Sequence, residues 1–156
     1  MADAVPYRAE ILAAVACVHH AIGYQGGRLE LRDVLEVLPG LLVAPMEPRD
    51  LLGRAGVTMR IGYHVKIGFD SSLPLPERRR VVAHEIGHAI LHCGLLSPNG
   101  LPGVPFATEA VGEAQADFFA QELRALRRAK RAPRSSRSEG LPPHARAAKR
   151  KDLGAR

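Results

Sequence analysis

Apolar residues recur at helical spacing in several stretches of this chain, and in one stretch they alternate. From Tyr7 to Ile22, Ile11, Val15 and Val18 fall on one side of a 3.6-residue repeat, and Gly23 supplies a stop. Leu31 to Leu38 predicts a second, short helix ending before Pro39-Gly40. Leu41 to Ala44 reads as a short apolar strand, and Arg49 to Arg54 as a helical turn. Val57 to Tyr63 and Val65 to Phe69 then alternate in side-chain character with only His64 between them, which predicts a tight hairpin or one bent strand. An edge strand here offers its backbone to an extended peptide by strand addition. Val82, Ile86 and Ile90 form the stripe of a third helix, with Pro76 and Glu77 in its first turn and Gly94 as its stop. A fourth helix runs from a Thr108 N-cap to about Arg128, with Phe119, Leu123 and Leu126 as its apolar stripe. The expected class is α+β, mostly helical, with a short β-sheet or hairpin before the third helix.

That third helix carries the sequence VVAHEIGHAILH from Val81 to His92. His84 and His88 stand one turn apart, so both imidazoles project from one face and can grip a single small cation. Glu85 is offset from that face, where a carboxylate can take a proton from water without being a ligand. This is the H-E-x-x-H arrangement of zinc hydrolases, in which the metal activates water and polarises a carbonyl. His19 and His20, at the end of the first helix, are read as last-turn residues favoured by the helix dipole, with no metal role.

Length and composition narrow the setting. A chain of 156 residues suffices for one domain with a core built mainly from Leu, Val, Ile and Ala, since aromatics make up only 4% and Trp is absent. Cys17 and Cys93 lack a CxxC spacing, which argues against a disulfide scaffold or a cysteine zinc knuckle; Cys93 reads as a small buried hydrophobe. No segment approaches the roughly 20 apolar residues of a membrane span. The apolar run Ile11 to Val18 follows Asp3 and Glu10, a poor start for a signal peptide, so a cytoplasmic location is expected. The net charge of +6 is unevenly distributed: residues 124–156 hold 12 Lys/Arg against Glu139 and Asp152, a balance of +10, leaving 10 Lys/Arg against 14 Asp/Glu, or −4, for residues 1–123. Residues 1–126 are therefore read as a mildly acidic domain. Residues 127–156 are read as a basic tail, disordered in isolation, that either attracts nucleic-acid phosphate or serves only as a solubilising segment.

Two histidines leave a catalytic zinc one protein ligand short. His92, at the next i+4 step, lies about 12 Å along the helix from His84 and is too far to share the ion, so it is expected to line the site wall. The extended metzincin pattern is absent, because Leu91 occupies the place of its glycine. The fourth helix is the better source. Glu113 and Asp117 stand one turn apart beside Ala116 and Ala120, small residues that let another helix approach closely. Glu113 can then coordinate the metal while Asp117 hydrogen-bonds a ligating imidazole; Glu109, one turn earlier, is the fallback ligand. The loop Cys93 to Ala107, rich in Gly and Pro, borders the site as a lid or specificity loop. Tyr63, His64 and His92 are candidates for stabilising an oxyanion.

From about Leu41 to Leu123 the chain resembles the ImmA/IrrE family of zinc metallopeptidases: a β-element, then RRRVVAHEIGHAILH, then E-x-x-A-D-x-F-A-x-x-L, here within Gly112 to Leu123. The resemblance implies a small zincin-like metallopeptidase domain with Zn2+ on His84, His88 and Glu113 and Glu85 as general acid/base. It also implies a cytoplasmic endopeptidase that cuts a regulatory partner, typically a helix-turn-helix repressor. Two departures stand out. Gln115 occupies a place where many members carry a second acid, and Arg124-Ala125-Leu126-Arg127-Arg128 replaces a Leu-Leu-Met-Pro-like ending. A reading from another class is a non-catalytic, zinc-stabilised partner-binding module with a nucleic-acid-binding tail. It implies nucleic-acid affinity that falls steeply with salt and is lost when residues 127–156 are removed.

Overall fold

The spacing of Ile11, Val15 and Val18 requires one buried side to the first helix, and all three are buried on α1 (Arg8–Ala21), which ends at Gly23 with φ 64°. The computed structural model describes residues 5–97 and 103–125. The predicted tail 127–156 and Leu126 of the expected apolar stripe lie outside the described residues. After α1 come α2 (Leu31–Val37), β1 (Leu41–Met46), a 3-10 turn (Pro48–Leu51), β2 (Gly56–Ile61), β3 (His64–Asp70), α3 (Leu75–Leu91) and α4 (Glu109–Arg124). The class is α+β: four helices and a three-stranded sheet.

The sheet has the order β1-β3-β2. β1 runs parallel to β3, from Leu41 opposite Val65 to Met46 opposite Asp70, and extends past the expected Ala44. β2 runs antiparallel to β3, and the Ile61–His64 pairing leaves Gly62-Tyr63 as a two-residue turn. The hairpin is therefore the correct one of the two expected forms, with its turn earlier than His64. Gly62 has φ 61°, the backbone that the first central position of a tight hairpin turn demands and that glycine adopts without a Cβ clash. His64 instead begins β3. Val65 and Ile67 point into the core with Ile86, Ile90 and Leu91 of α3 and Phe119 and Leu123 of α4, all buried.

α3 starts at Leu75, with Pro76 and Glu77 in its first turn, and its C-cap is His92. α4 is capped by Thr108, whose Oγ1 accepts from Val111 N–H at 3.3 Å. Its end differs from expectation. Ala125 has φ −57° and ψ 126° and leaves the helix, so α4 stops short of Arg128. One carbonyl there is served from elsewhere: His19 Nε2–H donates to Leu123 O at 3.0 Å, while the Tyr24 hydroxyl gives its hydrogen to Gly27 O at 2.6 Å and lies 3.4 Å from Ala125 O. His19 stands in the last turn of α1, as expected, and has a further part. It is a buried residue that satisfies the end of another helix, where the last carbonyls lack intrahelical partners.

α3 and α4 cross closely. A Cβ on Gly87 would sit 3.1 Å from both Cα and O of Ala116, so glycine on one helix and alanine on the other set the separation. No helix of the described residues is long and apolar enough to cross a membrane.

Candidate metal centre

The close approach of Gly87 to Ala116 places the adjoining turns of the two helices side by side. His84 and His88 face Glu113 across the gap. His84 Nε2 lies 3.1 Å from Glu113 Oε2, His88 Nε2 lies 3.2 Å from Glu113 Oε1, and the two Nε2 atoms are 3.1 Å apart. One ligand atom from each residue falls within a 4.8 Å group, and these are the side chains brought together among those expected as ligands. Bonds of 2.0–2.1 Å at tetrahedral angles put ligand atoms about 3.3 Å apart, so two imidazole nitrogens and a carboxylate at these separations fit a small tetrahedral cation.

Asp117 lies where the sequence expects it, one turn along from Glu113, with Oδ1 2.8 Å from His84 Nδ1. A carboxylate only accepts, so Nδ1 carries a hydrogen, and Nε2, turned to Glu113 Oε2, would offer its lone pair to a cation that took the place of any hydrogen there. Burial, reinforced by the neighbouring His84, pushes the pKa of His88 down to about 4, which leaves its imidazole neutral at physiological pH. The fallback Glu109 is not part of the cluster: it is exposed and pairs with Arg54 at 3.9 Å.

Glu85 is buried on the neighbouring side of α3. Burial raises its pKa, and the hydrogen bond from Thr58 acts against that rise. Thr58 Oγ1 donates to Glu85 Oε2 at 2.6 Å and lies 3.0 Å from the Glu85 carbonyl. Gly56 and Thr58 are two apart on β2, so they share one face of the strand, and that face covers Glu85. A Cβ on Gly56 would come within 2.7 Å of Glu85 Oε1 and 2.7 Å of Val81 Cγ1. The surroundings of the Glu85 carboxyl are thus shaped by the strand lying over it. A cleft of about 700 Å³ opens here, lined by His84, Glu85, His88, Glu113, Arg54 and Thr58 among others.

His92 lines the same cleft, as expected, and is held on both ring nitrogens. Its Nδ1 is 2.9 Å from His88 Nδ1, its Nε2 is 2.9 Å from Gln115 Oε1, and Phe106 packs on the ring at 4.5 Å between centroids. Burial lowers its pKa. With both nitrogens engaged it has none to offer an oxyanion. Tyr63 and His64, the other oxyanion candidates, are exposed at the hairpin and are not among the residues lining the cleft. In the expected lid, Val104 is buried and its N–H donates to Leu91 O at 3.1 Å, while residues 98–102 lie outside the described residues. Cys93 is a half-buried free thiol and Cys17 an exposed one. Sequence reasoning missed Gly56 and Thr58, whose only signal is their period-two spacing in a strand, and saw Gln115 only as a missing acid.

Comparison with protein-family models, with curated proteins and with solved structures gives no match to this chain.

Proposed function

We propose that the chain is a zinc-dependent metallo-endopeptidase of the ImmA/IrrE type. The observation that supports this reading best is the meeting of His84, His88 and Glu113 from two helices, with the buried Glu85 beside them in one cleft. Two histidines and one glutamate are a donor set of catalytic rather than structural zinc sites, which hold the metal with three protein ligands. Bound there, zinc would supply a Lewis acid that polarises the scissile carbonyl and makes water acidic enough to lose a proton near neutral pH. Glu85 takes that proton and delivers it to the departing amine. A carboxyl whose pKa is raised is suited to both transfers, because it is a better base toward water and still acidic enough to give the proton up to an amine, which returns it to the carboxylate. β2 pairs only with β3 among the described residues, and the cleft is lined by its first residues. Its outer edge offers an extended peptide backbone partners beside the metal ligands. The substrate class follows from the resemblance alone: a regulatory protein, such as a helix-turn-helix repressor, cut in an exposed segment in the cytoplasm.

The test is metal content and peptide cleavage measured together. Purified protein is expected to carry zinc and to cleave such a repressor, with loss of cleavage on chelation and recovery when zinc is returned. Glu85→Gln is expected to keep zinc and lose at least about 100-fold in turnover, the contribution of a positioned general base. His84→Ala is expected to lose both. Zinc held without any hydrolysis, with Glu85→Gln indistinguishable from the native chain, would instead leave a metal-stabilised binding module.

A further inference from the structure

Gln115 is the most deeply buried polar side chain among the described residues, at 0% exposure, and its hydrogen bonds can be made in only one sense. Its Nε2 lies 3.4 Å from Pro6 O and 3.2 Å from Pro105 O. Carbonyl oxygens only accept, so the amide nitrogen must face them and give one hydrogen to each. Oε1 is thereby turned toward His92 Nε2, and since an amide oxygen also only accepts, His92 carries its hydrogen on Nε2. The Nδ1 of a neutral His92 is then a bare lone pair. The 2.9 Å contact with His88 Nδ1 is a hydrogen bond only if His88 donates, which places a His88 hydrogen on Nδ1 and makes Nε2 the nitrogen available to a cation. That Nε2 faces Glu113 Oε1 at 3.2 Å and His84 Nε2 at 3.1 Å.

We propose that Gln115 is a positioning residue that fixes, through His92, which nitrogen of His88 is offered to the metal. The inference rests on the metal-centre reading above. Asp117 does for His84 in one step what Gln115 does for His88 in two, so both imidazoles turn Nε2 toward Glu113. An acid at position 115 would still accept from His92 but would have no hydrogens for Pro6 and Pro105.

The direct test needs no variant. Long-range 15N–1H spectra of the metal-free full chain near neutral pH are expected to show His88 protonated at Nδ1 and His92 at Nε2. Zinc affinity, read by competition with a chromogenic chelator, is expected to fall about 10–100-fold in Gln115→Met, the usual cost of losing a group that orients a ligand. Gln115→Glu keeps the acceptor opposite His92. It is expected to retain the His88 tautomer and near-native zinc affinity while unfolding at lower temperature, because its two donors are gone. Failure of the native chain to bind zinc would overturn the metal-centre reading and this inference with it. Three results would overturn this inference alone: His88 protonated at Nε2, zinc bound equally by the native chain and Gln115→Met, or affinities of the two variants that simply follow their lost stability.

Discussion

Glu85 shows how a side chain is tuned by neighbours distant in sequence. Its burial favours the protonated carboxyl and the Thr58 hydroxyl favours the charged one, with burial the larger effect. Thr58→Val removes the opposing hydrogen bond. The Glu85 pKa is then expected to rise further, moving the acid limb of the pH–rate profile of the proposed hydrolysis to higher pH. An unmoved limb would show that another group titrates there. The same raised pKa bears on folding. A carboxyl that binds its proton more tightly when folded contributes stability below the unfolded pKa and loses it as pH rises through the folded one. Metal-free Glu85→Gln is therefore expected to be more stable than the native chain at neutral pH, with the difference vanishing at pH values below the ordinary carboxylate range, as thermal unfolding across pH would reveal. His84, Glu85 and His88 are legible in the sequence because their chemistry is written in one helical turn. Thr58 is not, because it meets Glu85 only when β2 folds over α3, 27 residues away in the chain.

Two helices bring His84, His88 and Glu113 together, and small residues set the distance between them. Gly87→Ala opposes two effects. Alanine favours an isolated helix by about 1 kcal/mol over glycine. The new methyl group, however, would meet the backbone of Ala116 at 3.1 Å, and backbone cannot swing aside as a flexible side chain can. Overpacking of this kind costs about 1–3 kcal/mol, so the steric effect is expected to win. The variant should unfold at lower temperature and bind zinc more weakly, since the displacement pushes Glu113 away from the imidazoles. Unchanged affinity would mean that the ligand geometry does not depend on the helix crossing. The alanines beside Glu113 and Asp117 made this crossing legible: Ala116 and Ala120 are both buried, and Glu113 reaches the histidines. Helix ends were less legible. α4 stops at Arg124, where Ala125 turns out of the helix and His19 of α1 takes up the Leu123 carbonyl, and nothing in the local pattern announces that partner.

At the scale of the molecule, α1 closes the far end of α4. His19 was legible as a helix-end residue but not as the donor to Leu123 O, which is 104 residues distant. His19→Leu is expected to cost about 1–3 kcal/mol, because it leaves a carbonyl near the core without its hydrogen bond. Urea unfolding of the metal-free chain would measure this, and a loss near zero would mean that Leu123 O finds another partner. The fold class was readable from periodicity, whereas the parallel pairing of β1 with β3 was not, since a strand's alternation says nothing about which neighbour it chooses.

The hydrogen bond from Gln115 to Pro6 has a thermodynamic corollary. Pro6 sits just ahead of α1, so on the proposed metal-centre reading docking of that first helix and grip on a cation would be coupled equilibria, and coupling between equilibria is reciprocal. Pulling the leading residues off the body of the protein would then loosen the ion, and loading the ion would slow amide exchange along α1 by the same free energy.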